Sequence, residues 1–310
     1  MKHTVAIPTY RRPAELRRVL NAMVMQERPA NELIVTMRLD DQETEMVVEE
    51  FESVLPIRLE TLKKPGVVEA INRILEVADG DIVTFTDDDA VPPPDWARQI
   101  VQGFIDVPDM VALGGRDHIY QNDAWVDGEA SEVGIVRWYG RIIGNHHVGV
   151  GQRRDVDCLK GANFSLRMQE LGNLRVDRRL RGTGAQWHWE LDLCLALRAQ
   201  GKRLAYDPSI LVDHIIAQRF DEDQRSNFNA QAYENQIHNL TLVLLKYLSP
   251  VGRIFLLAYA LLIGLSSGYC GLLKGLLLWI LRRDGALLKM SASARGVSAG
   301  WRSWRYGAVS

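Results

Sequence analysis

The chain has 310 residues, enough for one large α/β domain and a smaller appendage. Its 37 Lys and Arg residues nearly balance its 39 Asp and Glu residues, and the net charge of −2 gives no overall basic field for a nucleic-acid partner. Three scattered cysteines, Cys158, Cys194 and Cys270, favour a reducing compartment over a disulfide framework. Residues 1–10 lack the apolar core of a signal peptide, so we expect the catalytic part to lie in the cytosol.

The first hundred residues alternate between strand and helix patterns, which is typical of a mostly parallel α/β sheet. Short apolar runs predict strands at residues 5–7, 33–35, 57–62 and 82–86. Apolar side chains at helical spacing predict helices around residues 13–23 and 68–78, and residues 44–52 predict an exposed acidic helix.

The pattern becomes irregular after residue 110 and purely helical after about residue 225. Residues 110–185 are rich in Gly, Trp and Arg, as a substrate-binding region can be. Beyond them, a helix is predicted from about 191 to 201 and a strand at 204–206. We therefore place a catalytic domain at residues 1–225 and a helical C-terminal region at 226–310.

Three carboxylates, Asp87, Asp88 and Asp89, directly follow the predicted strand at 82–86. Charges at the end of a buried strand are costly unless they meet a cation or solvent, and ligands of open α/β sheets bind beyond such strand ends. Alternate residues of an extended segment point the same way, so Asp87 and Asp89 can share one ligand while Asp88 faces elsewhere. Hard oxygen ligands suit Mg²⁺ or Mn²⁺ bridging to a diphosphate. The alternative is an acidic turn that caps the next helix.

A second acidic group, Glu190 and Asp192, stands at the start of the late helix. The helix dipole favours carboxylates there even without a function. Transfer to a hydroxyl nevertheless needs a base, and the flanking Trp187 and Trp189 would raise the pKa of Glu190 toward the range such a base needs. His214, at the end of the following strand region, is on its own pattern more often structural than a ligand.

Four motifs follow one another along residues 3–215: VAIPTYRRP, FTDDDAVPPPDW, GANFSLR and WELDLCLALRAQGKRLAYDP. In this order they resemble a family-2 glycosyltransferase of the GT-A fold, such as those of bacterial polysaccharide and cell-surface glycan synthesis. The resemblance implies a Rossmann-like central sheet and sugar transfer from a nucleotide-diphosphate sugar. It implies Asp87, Asp89 and His214 as ligands of Mg²⁺ or Mn²⁺, and Glu190 as the catalytic base.

The same resemblance implies the residues that bind the nucleotide sugar. They are Pro8, Thr9, Tyr10, Arg12, Asp40, Asp41, Gly66, Asn72, Asp87, Asp88, Gly161, Ala162 and Asn163. From the residue pattern alone, five of these residues have simpler explanations: a helix start at Gly66, an exposed polar residue at Asn72 and a turn at 161–163.

The chain departs from the family pattern in two places. A Glu stands at position 190 where Asp is usual, so Asp192 is either a supporting residue or the true base. The usual Asp-Asp-Gly-Ser after the second strand is replaced by Arg-Leu-Asp-Asp-Gln at 38–42. Which Asp contacts the nucleotide base therefore stays open.

Residues 254–281 are apolar apart from Lys274 and are long enough to span a hydrocarbon core. Positive side chains flank both ends, and glycines interrupt the segment at 264–268. Because a single span would leave one basic cluster outside, we expect a hairpin or in-plane helices with both ends on the cytosolic side. The alternative is a helix pair buried in a soluble domain. The flanking residues used in this argument are Lys246, Arg253, Arg282, Arg283 and Lys289, with Trp279, Trp301 and Trp304 expected at interfacial depth.

These features together predict an inverting enzyme at the cytoplasmic face of the cell membrane. Glu190 would remove the acceptor proton while the metal stabilises the departing nucleoside diphosphate. The expected partners are a nucleotide-diphosphate sugar, a glycan or lipid-linked acceptor and a membrane surface, and a chain ending near Lys246 is expected to be soluble. Two alternatives are a nucleotidyltransferase, although residues 8–12 lack its usual glycine-rich loop, and a non-catalytic membrane scaffold, although the acidic positions are present.

Overall fold

In the computed structural model, which describes residues 1–224, 228–265, 269–281 and 285–307, the N-terminal third alternates strand and helix as predicted. The strands are β1 (His3–Pro8), β2 (Glu32–Arg38), β3 (Ile57–Leu62) and β4 (Ile82–Phe85). The helices between them are α1 (Pro13–Val24), α2 (Gln42–Phe51) and α3 (Val67–Val77). The four strands pair in parallel in the order β3-β2-β1-β4. Their carboxyl ends therefore meet at one edge of the sheet.

The middle of the chain extends this sheet with antiparallel and parallel strands. Its elements are β5 (Ala90–Val91), α4 (Trp96–Asp106), β6 (Met110–Gln121), β7 (Ala124–Trp125), β8 (Ile135–Val136), β9 (Ile142–Ile143), β10 (Arg154–Asp155), β11 (Phe164–Arg167), α5 (Trp189–Ala199) and β12 (Arg203–Ile215). The order across the sheet is β10-β12-β6-β11-β4-β1-β2-β3, with β5 on β12 and β7 on β6. Strand β11 is antiparallel to both of its neighbours, whereas β6 and β12 are parallel to each other.

The long pair of β6 and β12 is the main difference from the sequence-based prediction. The sequence pattern predicts an irregular segment at 110–121, and it predicts a strand at 204–206 and a strand region ending at His214 rather than one strand over Arg203–Ile215. The glycine pair at 114–115 interrupts the apolar pattern of β6, and polar residues follow it. The glycines have a packing role, because a Cβ at Gly115 would lie 2.0 Å from the carbonyl oxygen of Ile210 on β12.

Beyond residue 225, the part of the chain that the structure describes is helical, as the pattern predicts: α6 (Ala230–Tyr247), α7 (Pro250–Leu262), α8 (Leu272–Ile280) and α9 (Ala286–Tyr306). Helix α6 contributes Leu240 and Leu244 to the same hydrophobic cluster as Phe85 of β4. Helix α9 packs closely on α6, since a Cβ at Gly296 would lie 2.8 Å from the Glu234 carbonyl oxygen. The helical region thus shares a core with the sheet.

Helices α7 and α8 leave much of their apolar surface exposed. Within the described ranges, no helix has both the length and the apolarity needed to cross a membrane. The exposed large apolar side chains of this region, which we call the apolar face, are Val251, Ile254, Phe255, Leu261, Leu262, Ile263, Leu272, Leu273, Leu276, Leu277, Trp279, Ile280, Leu281, Leu287 and Leu288.

Several residues expected to flank a membrane segment have other partners. Lys246 donates to Asp192 at 2.5 Å, and the Arg253 guanidinium lies 4.9 Å from the ring centre of Trp304. Trp301 and Trp304 pack against the core, because α9 is held along α6, so only Trp279 belongs to the apolar face. Residues 266–268 of the predicted break lie outside the described ranges, as do positions 282 and 283 of the predicted basic cluster.

Candidate active site

A cavity of about 610 Å³ opens where β1, β2 and β4 end. Twelve residues of the sequence-based prediction line it: Pro8, Thr9, Tyr10, Arg12, Gly66, Asp87, Asp88, Asp89, Gly161, Ala162, Glu190 and His214. The strand ends thus bring together residues that are more than 200 positions apart in the chain. This is the expected location of a ligand site in an open α/β sheet.

Asp87, Asp89 and His214 form a compact group in which one ligand atom from each residue lies within 4.8 Å of the others. The two carboxylates follow β4, and His214 reaches them because it pairs with Ala90 of β5. His214 Nε2 lies 3.1 Å from Asp89 Oδ1 and 3.9 Å from Asp87 Oδ2. Neither ring nitrogen makes a hydrogen bond of good geometry to the residues that the structure describes. Two carboxylates and a buried imidazole in this compact arrangement fit a divalent cation such as Mn²⁺.

The charges around this group favour a positive charge on His214, beside the carboxylates. Burial works against the charged imidazolium, but Asp117 and Asp89 raise the pKa of His214 to about 9. Burial also opposes ionisation of Asp89, yet His214 and Arg12 hold the pKa of that carboxyl well below its usual range. Burial and the neighbouring Asp89 raise the pKa of Asp87.

Asp88 faces away from the group, toward Arg12. Arg12 Nη1 lies 2.6 Å from Asp88 Oδ1 and 3.5 Å from Asp89 Oδ2, while its Nε donates to the Gln218 carbonyl oxygen at 2.8 Å. Burial raises the pKa of Asp88 to about 7, against the opposing effect of Arg12. The alternation predicted for the three carboxylates is therefore present, and Arg12 is a fixed positive charge at the cavity wall.

Glu190 lies in the first turn of α5 and faces the same cavity. Its Oε2 is buried and has no hydrogen-bond partner among the described residues. Burial raises the pKa of Glu190 to about 7, and the charge of Asp87 adds to the effect. A carboxyl group with such a pKa can accept a proton near neutral pH.

Asp192 points away from the cavity into a buried polar cluster. It accepts hydrogen bonds from Lys246 Nζ at 2.5 Å, the backbone N–H of Asp177 at 2.9 Å and the Tyr247 hydroxyl at 3.3 Å. Because these partners occupy both carboxylate oxygens, the geometry favours a supporting role for Asp192 and leaves Glu190 as the better candidate base.

Asp40 and Asp41 do not line the cavity either. Asp41 caps α2 by accepting from the Thr44 N–H, and it also accepts from the Arg11 N–H at 2.5 Å. Asp40 is exposed and accepts from the Tyr10 hydroxyl at 3.2 Å. Both carboxylates thus contact the loop that carries Tyr10, which lines the cavity, without lining it themselves.

Asn72 and Asn163 are buried residues that brace other segments. Asn72 donates to the backbone carbonyl of Val176 at 3.0 Å and accepts from its N–H at 2.8 Å, so it is not the exposed polar residue that its pattern allowed. Asn163 accepts from Trp96 Nε1 at 3.1 Å and donates to the Ile210 carbonyl at 2.9 Å. It therefore holds residues 161–163 in place without reaching the cavity.

Sequence reasoning missed several charged residues of the site. The Arg38 guanidinium stacks 3.7 Å from the ring centre of Tyr10 and bonds Asp221 at 2.7 Å. Lys160 lines the cavity and pairs with the buried Asp117. The position of Lys160 directly before the GANFSLR motif, and of Arg38 at the end of β2, were the available indications.

The chain is similar to known proteins whose names describe glycosyl transfer. Residues 4–157 match the family model described as Glycosyl transferase family 2. A glucosyl-dolichyl phosphate glucuronosyltransferase of Haloferax volcanii is 24% identical over 225 residues, which cover 69% of each chain.

Solved structures share the fold at low sequence identity. TarS 1-349 of S. aureus in complex with UDP-GlcNAc has a TM-score of 0.60 at 16% identity, covering 99% of this chain and 92% of that one. The mannosyltransferase PcManGT of Pyrobaculum calidifontis, in complex with GDP-Man and Mn²⁺, has a TM-score of 0.56 at 15% identity, with 98% and 87% covered. The chain spans only 44% of a longer TarS structure and 47% of GalNAc-T7. Residues 4–157 thus belong to glycosyl transferase family 2, and the chain has the GT-A fold.

Proposed function

We propose that the protein is an inverting, metal-dependent glycosyltransferase that moves a sugar from a nucleotide-diphosphate sugar to an acceptor hydroxyl. One observation carries the proposal: a single cavity holds a group suited to a divalent cation and a carboxyl group suited to take a proton. The first is Asp87, Asp89 and His214, and the second is Glu190. Direct sugar transfer needs both functions within reach of one substrate.

The proposed reaction is a single displacement. The acceptor oxygen bonds to the anomeric carbon of the donor while its proton passes to the Glu190 carboxylate. The bond from that carbon to the diphosphate oxygen breaks, and the nucleoside diphosphate leaves with the bonding electrons. Attack from the side opposite the leaving group inverts the anomeric centre. A bound Mg²⁺ or Mn²⁺ would supply electrostatic stabilisation of the diphosphate charge.

The end of the cavity formed by β1 and β2 is the proposed nucleotide site. Tyr10 and Arg38 present a stacked pair beside Thr9, and a planar nucleobase can pack against such a surface. Arg12 lies between this end and the carboxylates after β4. Its charge is placed to contact the diphosphate.

The proposed acceptor is a glycan or a lipid-linked glycan at the cytoplasmic face of the cell membrane, in polysaccharide or cell-surface glycan synthesis. The apolar face supports this location, because an exposed apolar patch of that kind marks a partner or membrane surface and in-plane helices can enter the lipid headgroup region. The name of the Haloferax volcanii relative also describes a lipid-linked acceptor.

A donor and acceptor panel tests the proposal. The full-length chain in detergent would be incubated with UDP-glucuronate, UDP-GlcNAc, UDP-glucose or GDP-mannose, with and without Mn²⁺, and with soluble glycans or polyprenyl-phosphate sugars. We expect nucleoside diphosphate release with at least one donor and a product of inverted anomeric configuration by NMR. A product of retained configuration would contradict the displacement, and absence of both donor binding and transfer across the panel would contradict the assignment.

Metal dependence has its own test in Asp89→Asn. This change removes one ligand charge without changing core volume, so we expect a folded protein with weaker Mn²⁺ binding and loss of transfer. Mn²⁺ titration calorimetry and donor turnover measure the two effects. The melting temperature of the variant should be lower than that of the wild type, because the Asp89 charge pairs with His214 and Arg12. Full turnover of the wild-type protein in excess chelator would rule out the metal role.

A further inference from the structure

Asp117 is a buried carboxylate that neither the motifs nor the proposed reaction uses. It lies on β6 opposite Val212 of β12, two residues from His214, so both side chains leave the same face of the sheet. Asp117 Oδ2 lies 3.5 Å from His214 Nδ1, on the side of the ring opposite to Asp87 and Asp89. The Asp117 side chain is 1% exposed, and its Oδ1 has no hydrogen-bond partner among the described residues.

The chemistry of imidazole makes this position informative. A neutral imidazole that binds a metal through one nitrogen carries its proton on the other. If His214 Nε2 faces a cation between Asp87 and Asp89, the proton is on Nδ1 and points toward Asp117. A carboxylate behind a metal-bound histidine fixes the ring and its tautomer, and its loss typically weakens metal binding 10–100-fold.

We infer that Asp117 is a positioning residue, which orients His214 for the divalent cation. The inference rests on the proposed metal site and adds a residue that acts through His214. Lys160 also pairs with Asp117 and places a positive charge beside this buried carboxylate.

The test compares Mn²⁺ binding by full-length variants without donor. Asp117→Asn keeps the shape of the side chain but removes its charge, and we expect the Kd for Mn²⁺ to rise 10–100-fold. The matched control is Asp207→Asn, which changes a buried acid on β12, the strand that also carries His214. Asp207 pairs with Arg153 at 2.8 Å and does not line the cavity. Its Mn²⁺ affinity should equal that of wild type.

A second comparison separates action through His214 from a direct effect. In a His214→Ala background, adding Asp117→Asn should cause no further loss of Mn²⁺ affinity. An equal loss in both backgrounds would overturn the inference, as would wild-type affinity in Asp117→Asn alone. Absence of Mn²⁺ binding by the wild-type protein would instead remove the proposed metal site, and the inference with it.

A measurement on the wild-type protein does not depend on whether the variants fold. With ¹⁵N-labelled histidine and Mg²⁺, we expect the His214 ring to show the tautomer with its proton on Nδ1. A proton on Nε2 in the Mg²⁺-bound protein would overturn the inference, because that nitrogen could not then be the ligand.

Discussion

Glu190 and Asp89 show how two carboxyl groups in one cavity acquire opposite properties. Asp89 lies beside His214 and Arg12 and accepts from the Ala217 N–H at 2.9 Å, so its charge is stabilised. Glu190 has a buried oxygen without a hydrogen-bond partner among the described residues, and burial raises its pKa. The first environment suits a permanent ligand and the second suits a base that exchanges a proton.

Glu190→Gln should therefore lower turnover by roughly 10²–10⁴-fold while donor binding barely changes, because Gln keeps the size but cannot accept a proton. Steady-state rates and thermal shift with nucleoside diphosphates measure the two effects. In the wild type, activity should rise with pH up to about 7, where Glu190 becomes ionised, and bound metal would move this pKa lower. A large loss of turnover in Asp192→Asn at unchanged stability, with little loss in Glu190→Gln, would reverse the roles.

The same substitution should change how stability depends on pH. The pKa of Glu190 is raised from 4.5 to about 7, so the folded protein holds this proton where the unfolded chain has released it. Ionisation of Glu190 therefore lowers the free energy of unfolding. The loss grows from pH 4.5 to about 7 and is complete above that pH. Without metal, Glu190→Gln should have a higher melting temperature than the wild type at pH 8. The difference in melting temperature should vanish toward pH 4.5. A gap that is constant with pH would show that Glu190 is not held neutral.

The residues of the site were predictable to different degrees for a physical reason. Asp87 and Asp89 follow a strand of the sheet and Glu190 lies in the first turn of a helix, and positions of these kinds can be recognised from the local pattern. The roles of Asn163 and Asp192 depend on partners 47 and 54 residues away, Ile210 and Lys246. A local pattern contains no information about such partners, so neighbours of the cavity could not be told from its lining.

At the scale of elements, the sequence pattern predicted the strands and helices whose formation depends on nearby residues. The strands and helices of the first 85 residues follow from apolar periodicity, and β3 has the predicted bounds. Strand β6 was missed because its second half, from Arg116 onward, is polar and owes its strand form to pairing with β12. Such nonlocal pairing depends on tertiary context, which strand propensity does not capture.

The apolar face leads to a prediction for α8. Leu273 and Leu277 are one helical turn apart and 56% exposed each, so Leu273→Ser with Leu277→Ser should weaken membrane binding while leaving the fold intact. Each fully buried leucine is worth about 1.5–3 kcal/mol, so the pair should reduce binding at least tenfold. Co-sedimentation with phosphatidylethanolamine–phosphatidylglycerol vesicles measures it.

The matched control places serines at two apolar side chains that are equally exposed elsewhere. Met46 and Val54 are 64% and 61% exposed, and they lie far along the chain from α8. Met46→Ser with Val54→Ser should bind vesicles as the wild type does. An equal loss of vesicle binding in both double variants, or no loss in either, would contradict a membrane role for the apolar face.

At the scale of the whole molecule, the C-terminal helices are part of the catalytic fold. Asp192 of α5 and Asp177 share Lys246 of α6, and Asp177 also binds Arg179, which donates to the Ser303 carbonyl of α9 at 2.9 Å. The expectation that a chain ending near Lys246 would be soluble is therefore not supported. Such a chain would lack α9 and expose side chains of α6 that are now buried.

Substitution at the contact of α6 with α9 tests this coupling. A Cβ at Gly300 would lie 2.7 Å from the His238 carbonyl oxygen, so Gly300→Leu must force the helices apart. Such overpacking typically costs about 1–3 kcal/mol, and we expect a melting temperature several degrees lower. Turnover should fall as well, because α9 supports the cluster behind α5 and thereby the position of Glu190. Ala294→Leu, at an exposed position of the same helix, should change neither quantity. If Gly300→Leu lowered stability but left turnover per folded molecule intact, α9 would stabilise the fold without positioning the base.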